Sequence, residues 1–498
     1  MLSGAFLNLA WPEVGGITIF IFIAFIPLLF IAKTYEKKNW RPLFLFSFLS
    51  FIIWHIISNY WMLYSTLLGS ITAWVVNSFL MATVFVLAFI SNKRFSKFSL
   101  SIYLAFYWLS FEILHLFWDL SWPWMTLGNT FANNTEWVQW YEFIGIYGGT
   151  FWIIITNGLL FQLLHHIIIK QKKQLIICGI LSVLMIFIPL GISYSLLRKP
   201  ISYNHEIHIG IIQSNFDTYT EKFSGLKPLE QSKSMLQQFR ELPAEIDLCI
   251  LPETAIPENI EETTINYPEG IELFLQESNK TNIPVLLSYY SEDSVHSYNT
   301  AALAENGIIK ETRHKSKLVP FAESIPFKFI TKGLKSIIQE EGGMGYTFSK
   351  DRDAHVFNLG AEQVKMGTLI CFESIFSDLT SEMTRKGAEI LIIITNDDWW
   401  KNTAGHRQHF AFSRLHAIQN RRPIARAANT GISGFIDAYG DVQLSSKYRE
   451  KKVLHQKIKS VRTLSFFTQF ERQIRYTIAI ISFTLLLLSL IWPYKMNK

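Results

Sequence analysis

The chain has 498 residues, of which 15% are aromatic (40 Phe) and only 17% charged, a balance typical of a protein partly in lipid and long enough for more than one domain. Its net charge of +6 lies largely in short loops between apolar runs, which argues against nucleic acid as a partner. Three cysteines, Cys178, Cys249 and Cys371, sit far apart and make neither a metal-ligand spacing nor a disulfide framework.

In chain order, apolar runs of spanning length lie at about 15–32, 42–62, 73–91, 99–117, 141–167 and 175–195, and again at about 474–493. Each is near the ~20 residues that cross a ~30 Å hydrocarbon core, so seven spans are expected. Lys33, Lys37, Lys38 and Arg41 fill the first loop, Lys93, Arg94 and Lys97 the third, and Lys170, Lys172 and Lys173 the fifth. The loops at about 63–72 and 118–140 hold no Lys or Arg. That asymmetry predicts odd loops inside, a polar region outside, and a C-terminal tail with Lys495 and Lys498 inside. The segment Met1–Trp11 is apolar but too short to span, and reads as an interfacial segment or a shortened first helix.

Two features within this part invite two readings each. The Trp-rich stretch Asp119–Asn129 is either an aromatic belt at the membrane interface or a surface that admits lipid. Glu112 and His115 share one face of the fourth run and are either structural hydrogen-bonding groups or functional ionisable residues at membrane depth.

The expected organisation is a helical transmembrane bundle at 1–197, an outer α/β domain at 198–472, and a closing transmembrane helix and tail at 473–498. In the outer domain, strands are predicted at Ile207–Gln213, Ile246–Pro252, Pro284–Tyr289, Val364–Ile370, Glu389–Thr395 and Ile432–Asp437. Helices are predicted near 226–241, 268–279, 376–387 and 406–420. Such alternation argues for a layered α/β architecture.

Chemistry-bearing residues fall where apolar runs end. Lys365–Ile370 reads as a buried strand delivering Cys371 to a strand-to-helix turn, where a helix start would favour the thiolate. Leu248–Pro252 ends at Glu253, and His314–Glu323 carries Lys315, Lys317 and Glu323. A carboxylate, a lysine and a cysteine meeting in one pocket would supply a base, an oxyanion stabiliser and a nucleophile.

These motifs resemble the nitrilase, or carbon–nitrogen hydrolase, superfamily, and within it a branch embedded in the bacterial inner membrane. The resemblance covers nearly the whole chain. It rests on Ile212–Asn215, on Leu251-Pro252-Glu253-Thr254-Ala255-Ile256-Pro257, on Ser297–Thr300 and on Lys315–Glu323. Ile370-Cys371-Phe372-Glu373 and Thr395–Trp400 with Gln408-His409-Phe410 complete it. It implies an αββα sandwich with Glu253, Lys315 and Cys371 as the triad. Glu323 is implied as a second essential glutamate, Phe372 and Glu373 as residues around the nucleophile, and Trp399 as a tryptophan of the acyl step. Lys317 stands where a histidine is common, Phe372 where a tyrosine is, and Ala322 and Lys401 each where a glycine is. The eight-residue offset to Glu323 selects Lys315 over Lys317.

The resemblance further implies a ping-pong acyl transfer without cofactor or metal. A membrane phospholipid, phosphatidylethanolamine by expectation, acylates Cys371, and the acceptor is the α-amine of a diacylglyceryl-modified lipoprotein cysteine. A monomer in the inner membrane, with its catalytic domain on the periplasmic side, is expected. The alternatives are a membrane-tethered amidase acting on a small C–N substrate and a non-catalytic lipid-binding scaffold.

Overall fold

The computed structural model describes residues 1–36, 39–263, 266–327, 348–350, 354–360 and 364–491. Lys37, Lys38, Lys495 and Lys498, which entered the loop-charge argument, lie outside the described residues. Internal contacts divide the chain into two units: Met1–Tyr60, Ser70–Lys199 and Phe470–Lys498 form the first, Trp61–Gly69 and Pro200–Gln469 the second.

In the first unit, Arg41–Ser58, Leu67–Arg94, Tyr141–Ile168, Lys172–Leu196 and Phe466–Ile491 are helices long and apolar enough to cross a membrane. The expectation of seven spans is corrected at two runs. Residues 15–32 form a 3-10 turn at Thr18–Phe22 and a separate helix at Ile26–Thr34, and residues 99–117 form only the helix Leu100–Leu114. The first break is stabilised by a neighbouring helix, where Asn157 accepts from the Phe25 N–H at 2.8 Å and donates to the Ile21 carbonyl at 2.8 Å. Backbone groups freed from a helix must find such partners in an apolar medium. An apolar run therefore bounds the length of a helix without fixing it.

The N-terminal segment is the helix Leu2–Ala10, packed on Arg41–Ser58. Asn8 Oδ1 accepts from Ser58 Oγ at 2.8 Å, and Trp11 meets Trp54 edge-on at 5.1 Å. At ~1.5 Å rise per residue it is too short to span. The Trp-rich stretch is folded inward rather than laid out as a belt, with Trp122 and Trp124 both buried. Glu112 organises it: the carboxylate accepts from Trp108 Nε1 at 3.1 Å, from the Leu127 N–H at 2.8 Å and from Thr150 Oγ1 at 2.8 Å. Glu112 is thus a structural hydrogen-bonding group.

Among the described residues the second unit has two sheets. β1 (Glu206–Gln213), β2 (Leu248–Ile250), β4 (Val285–Glu292), β5 (Ser297–Glu305) and β6 (Ile308–His314) follow one another, with β13 (Lys452–Lys459) outside β1 and β3 (Asn259–Glu261) on β4. The other sheet runs from β7 (Phe357–Leu359) through β8 (Val364–Ile370), β9 (Ile390–Thr395), β10 (Ile424–Ala428) and β11 (Gly434–Ile436) to β12 (Val442–Ser445). The inner pairs β1–β2, β2–β4, β8–β9 and β9–β10 are parallel. Such strands are buried on both faces and read as unbroken apolar runs.

Ile209, Ile250, Leu286, Ile370, Ile392 and Ala425 belong to the core between the sheets. The helices Pro228–Phe239 and Glu269–Thr281 cover the first sheet through Met235, Phe239, Ile271 and Phe274. Ser377–Arg385 and Ala404–Asn420 cover the second. Gly367 is needed there, because a Cβ would sit 3.0 Å from Met383 Cβ. The layers are αββα, so the expected combination of a helical membrane part and a nitrilase-like sandwich holds.

Candidate active site

Three strand ends converge within the second unit. Glu253 follows β2, Cys371 follows β8, and Lys315 follows β6; the first two leave carboxyl ends of parallel strands, where open α/β sheets place ligands. All three line one cleft with Glu323, Asn299, Tyr290, Phe223, Trp399 and Ser65.

Lys315 is fixed from both ends. Its N–H donates to the Asn299 carbonyl at 2.8 Å, and its Nζ donates to Glu253 Oε1 at 3.0 Å and to Glu323 Oε1 at 2.8 Å. Burial works against the ammonium, but Glu253, Glu323 and Cys371 outweigh it and hold Lys315 well above the usual lysine range. Glu323 also accepts from the Val319 N–H at 2.9 Å. Burial pushes its carboxyl up while Lys315 pulls it down, and burial prevails. Lys317 turns elsewhere, with its Nζ 3.5 Å from Asp378 Oδ2 and 4.7 Å from the Phe376 ring.

Glu253 receives two further hydrogen bonds, from Asn299 Nδ2 to Oε1 at 2.8 Å and from the Asn396 N–H to Oε2 at 3.0 Å. These lone-pair partners aim the carboxylate. The sequence motifs contain both asparagines, but a single sequence assigns them no role; Asn396 stands just past an apolar strand, and Asn299 lies inside β5 with no such signal.

Cys371 stands at φ +51°, a left-handed conformation costing on the order of 1–3 kcal/mol in a non-glycine residue. The turn aims its side chain into the cleft. Here the expectation of a helix-start thiolate is corrected. Cys371–Ile375 is a 3-10 turn, the thiol is buried, and burial followed by the Glu253 charge pushes the thiol up despite Lys315. A thiol shifted in this direction would need a base before it could act as a nucleophile.

The remaining expected residues divide. Trp399 lines the cleft and stacks on Phe223 at 5.6 Å, with Tyr219 edge-on at 5.8 Å. Phe372 is buried against Phe376 at 5.1 Å and, among the described residues, is not part of the cleft lining. Glu373 is fully buried and faces Arg313, which donates through Nη1 and Nη2 at 2.7 Å each. It also accepts from the Ser316 N–H at 2.6 Å and the Ile370 N–H at 2.8 Å. Glu373 thereby ties the lysine-bearing loop to the Cys371 turn from behind.

Residues 61–69, read from sequence as the end of a span and an outer loop, supply part of the wall. Trp61 packs on Trp400 at 4.7 Å, the Tyr64 carbonyl accepts from Tyr219 Oη at 2.9 Å, and Ser65 faces the cleft.

This geometry can take a proton from a thiol, hold a cation beside a developing oxyanion and retain an acyl group on sulfur. Residues 215–465 match the carbon–nitrogen hydrolase family, and residues 3–159 match the apolipoprotein N-acyltransferase N-terminal domain. The chain is 28% identical to the apolipoprotein N-acyltransferase of Chlorobaculum tepidum, over 94% of this chain and 91% of that one. It is 24% identical to the enzyme of the same name from Geobacter metallireducens (94% and 90%) and to that from Thermotoga maritima (90% and 85%). With fold, cleft and both family matches in agreement, the chain belongs to the carbon–nitrogen hydrolase family, in its apolipoprotein N-acyltransferase branch.

Proposed function

We propose that the protein moves a fatty acyl chain from a membrane phospholipid to the α-amine of the diacylglyceryl-modified cysteine that begins a lipoprotein, through a thioester on Cys371. The observation that carries this is the cleft in which Cys371 lies with Glu253, Lys315 and Glu323. Glu253 takes the Sγ proton, and sulfur attacks the donor ester carbonyl. The Lys315 ammonium faces the tetrahedral oxyanion. Collapse breaks the ester C–O bond, and the glycerol oxygen leaves with the proton from Glu253 as a lysophospholipid. In the second half, the acceptor amine attacks the thioester and gives a proton to Glu253. The C–S bond breaks, and Glu253 returns that proton to the thiolate.

Glu323 positions the lysine in this scheme, and Trp399 borders the acyl path. The long apolar helices fit it as well, since both substrates stay in the bilayer. Extracting an acyl chain would cost about 0.8 kcal/mol per CH₂. We place the catalytic unit on the periplasmic side of the inner membrane, as the loop charges suggest, acting as a monomer. A membrane-tethered amidase is the second reading, favoured only by the same triad.

The test is intact mass after incubation with phosphatidylethanolamine vesicles, compared with Cys371→Ala. A fatty-acyl increment that hydroxylamine removes, absent in the variant, supports the thioester. A folded protein without any adduct across a panel of donor lipids moves the assignment to the amidase.

A further inference from the structure

Behind the cleft runs a chain of buried polar groups that the steps above do not use. Ser374 Oγ donates to the Cys371 carbonyl at 2.8 Å and lies 2.7 Å from His409 Nε2. His409 Nδ1 is 2.9 Å from Asp397 Oδ1 and 2.9 Å from Arg426 Nη2. Arg426 Nη2 donates to Asp397 Oδ2 at 2.7 Å, and Thr395 Oγ1 donates to Asp397 Oδ1 at 2.6 Å. His409, Asp397, Arg426 and Thr395 are fully buried, and Ser374 nearly so. Packing alone gives no reason for such a cluster, because apolar residues of similar volume avoid the desolvation of its charges.

The two ends of the chain suggest its use. One end is the backbone of Cys371, in its left-handed turn at φ +51°. The other is the turn after β9, where the residue beside Asp397 gives its N–H to Glu253: Asn396 N to Oε2, 3.0 Å. One rigid turn therefore touches the carboxylate directly and the cysteine through Asp397, Arg426, His409 and Ser374.

The proton count gives the chain a direction. A hydroxyl has one hydrogen. Spent on the Cys371 carbonyl, it leaves Ser374 oxygen as an acceptor, so His409 Nε2 carries the hydrogen and Nδ1 accepts from Arg426. Burial, then Arg426, push the imidazolium down, in keeping with a neutral ring. Burial opposes the Asp397 carboxylate, but the Arg426 charge and the Thr395 hydroxyl hold it below the usual carboxylate range, where it balances the guanidinium.

We propose that Ser374, His409, Arg426 and Asp397 are positioning residues forming a relay that fixes the nucleophile turn at a set offset from Glu253. The relay rests on the reading of Cys371 as nucleophile and Glu253 as its base. It touches no substrate; it holds the carbonyl of the reacting residue, and with it the direction of the thiol.

The test is alkylation of Cys371 by iodoacetamide in the full-length purified protein, followed by peptide mass between pH 6 and 10. Cys178, in the other unit, is the internal reference. Ser374→Ala and His409→Leu are expected to slow Cys371 about tenfold to a hundredfold and to move its pH midpoint, the cost of a small misplacement. His409→Gln, whose amide N–H replaces Nε2–H, is expected to recover most of the rate. Ser374→Ala removes only an oxygen and keeps the test available if the histidine variants do not fold. Wild-type rates and midpoints in Ser374→Ala and His409→Leu would overturn the relay. A wild-type Cys371 no more reactive than Cys178 would instead overturn the nucleophile reading itself, and the relay with it.

Discussion

Glu373 offers the sharpest separation of chemistry from architecture. Its carboxylate receives two hydrogen bonds from Arg313 at 2.7 Å, the Ser316 N–H at 2.6 Å, Ser316 Oγ at 2.7 Å and the Ile370 N–H at 2.8 Å, with both ionic side chains fully buried. Burial disfavours the ionised carboxylate, but Arg313 and these donors hold its pKa below the ordinary value. Glu373→Gln keeps the shape and leaves the guanidinium without a counter-charge, a loss of about 3–5 kcal/mol for a broken buried pair. At roughly 2–4 °C per kcal/mol, the melting temperature should fall by roughly 6–20 °C. Arg313→Met with Glu373→Gln removes the orphaned charge and should recover part of that loss. Ser316 and Ile370 then keep a neutral acceptor in the amide oxygen. Thermal melts of the purified protein, with thioester formation below each melting point, give both readouts. The reasoning fails if Glu373→Gln melts with the wild type yet forms no thioester, for then the carboxylate acts on the reacting atoms.

Other expectations can be checked separately. Lys315→Met should abolish thioester formation, whereas Lys317→Met, removing a group that faces Asp378 and Phe376, should leave it within about threefold, since an exposed-edge pair is worth little; the opposite pattern by intact mass would reassign the cation. Burial lowers the Lys222 pKa from 10.5 to about 7, partly offset by Glu253 and Asp398. The unfolded chain therefore holds this proton up to pH 10.5 and the folded chain only to about pH 7. Stability from this group is present above pH 10.5 and lost as pH falls through 7, by up to about 5 kcal/mol. Lys222→Met should gain most over wild type below pH 7 and least near pH 10; parallel melting curves from pH 6 to 10 would contradict this. Glu112→Ala strands the donors of Trp108, Leu127 and Thr150 at about 1–3 kcal/mol each. Its melting temperature should drop well below that of Glu112→Gln, while thioester formation per folded molecule stays unchanged.

The primary sequence by itself determined the elements whose pattern is one-dimensional. Ile390–Thr395 was legible as a strand because a parallel strand buried on both faces is an unbroken apolar run, and Val364–Ile370 because, apart from Lys365, it is a run of small and apolar residues. The helices at Pro228–Phe239 and Glu269–Thr281 were legible from their amphipathic period. Glu253 and Cys371 were legible because each follows such a run, and Lys315 because of its eight-residue offset to Glu323 within its motif. Edge strands were not: Lys452–Lys459 and Ile308–His314 alternate with polar residues on an exposed face; nor was the inner strand β10 (Ile424–Ala428), which is short and carries a buried arginine.

Only the tertiary structure decided what depends on partners distant in sequence. The run at 15–32 breaks because Asn157, more than a hundred residues away, accepts one freed N–H and donates to one freed carbonyl. Residues 61–69 join the catalytic unit because Trp61 finds Trp400 and Tyr219 finds the Tyr64 carbonyl. Lys315 is separated from Lys317 by the two carboxylates it reaches, and Glu373 becomes an anchor through Arg313, sixty residues before it in the chain. Hydrophobic patterning is a local property of a chain. The pairing of buried charges and orphaned backbone groups is not, because each partner is chosen by the fold that has to bury it.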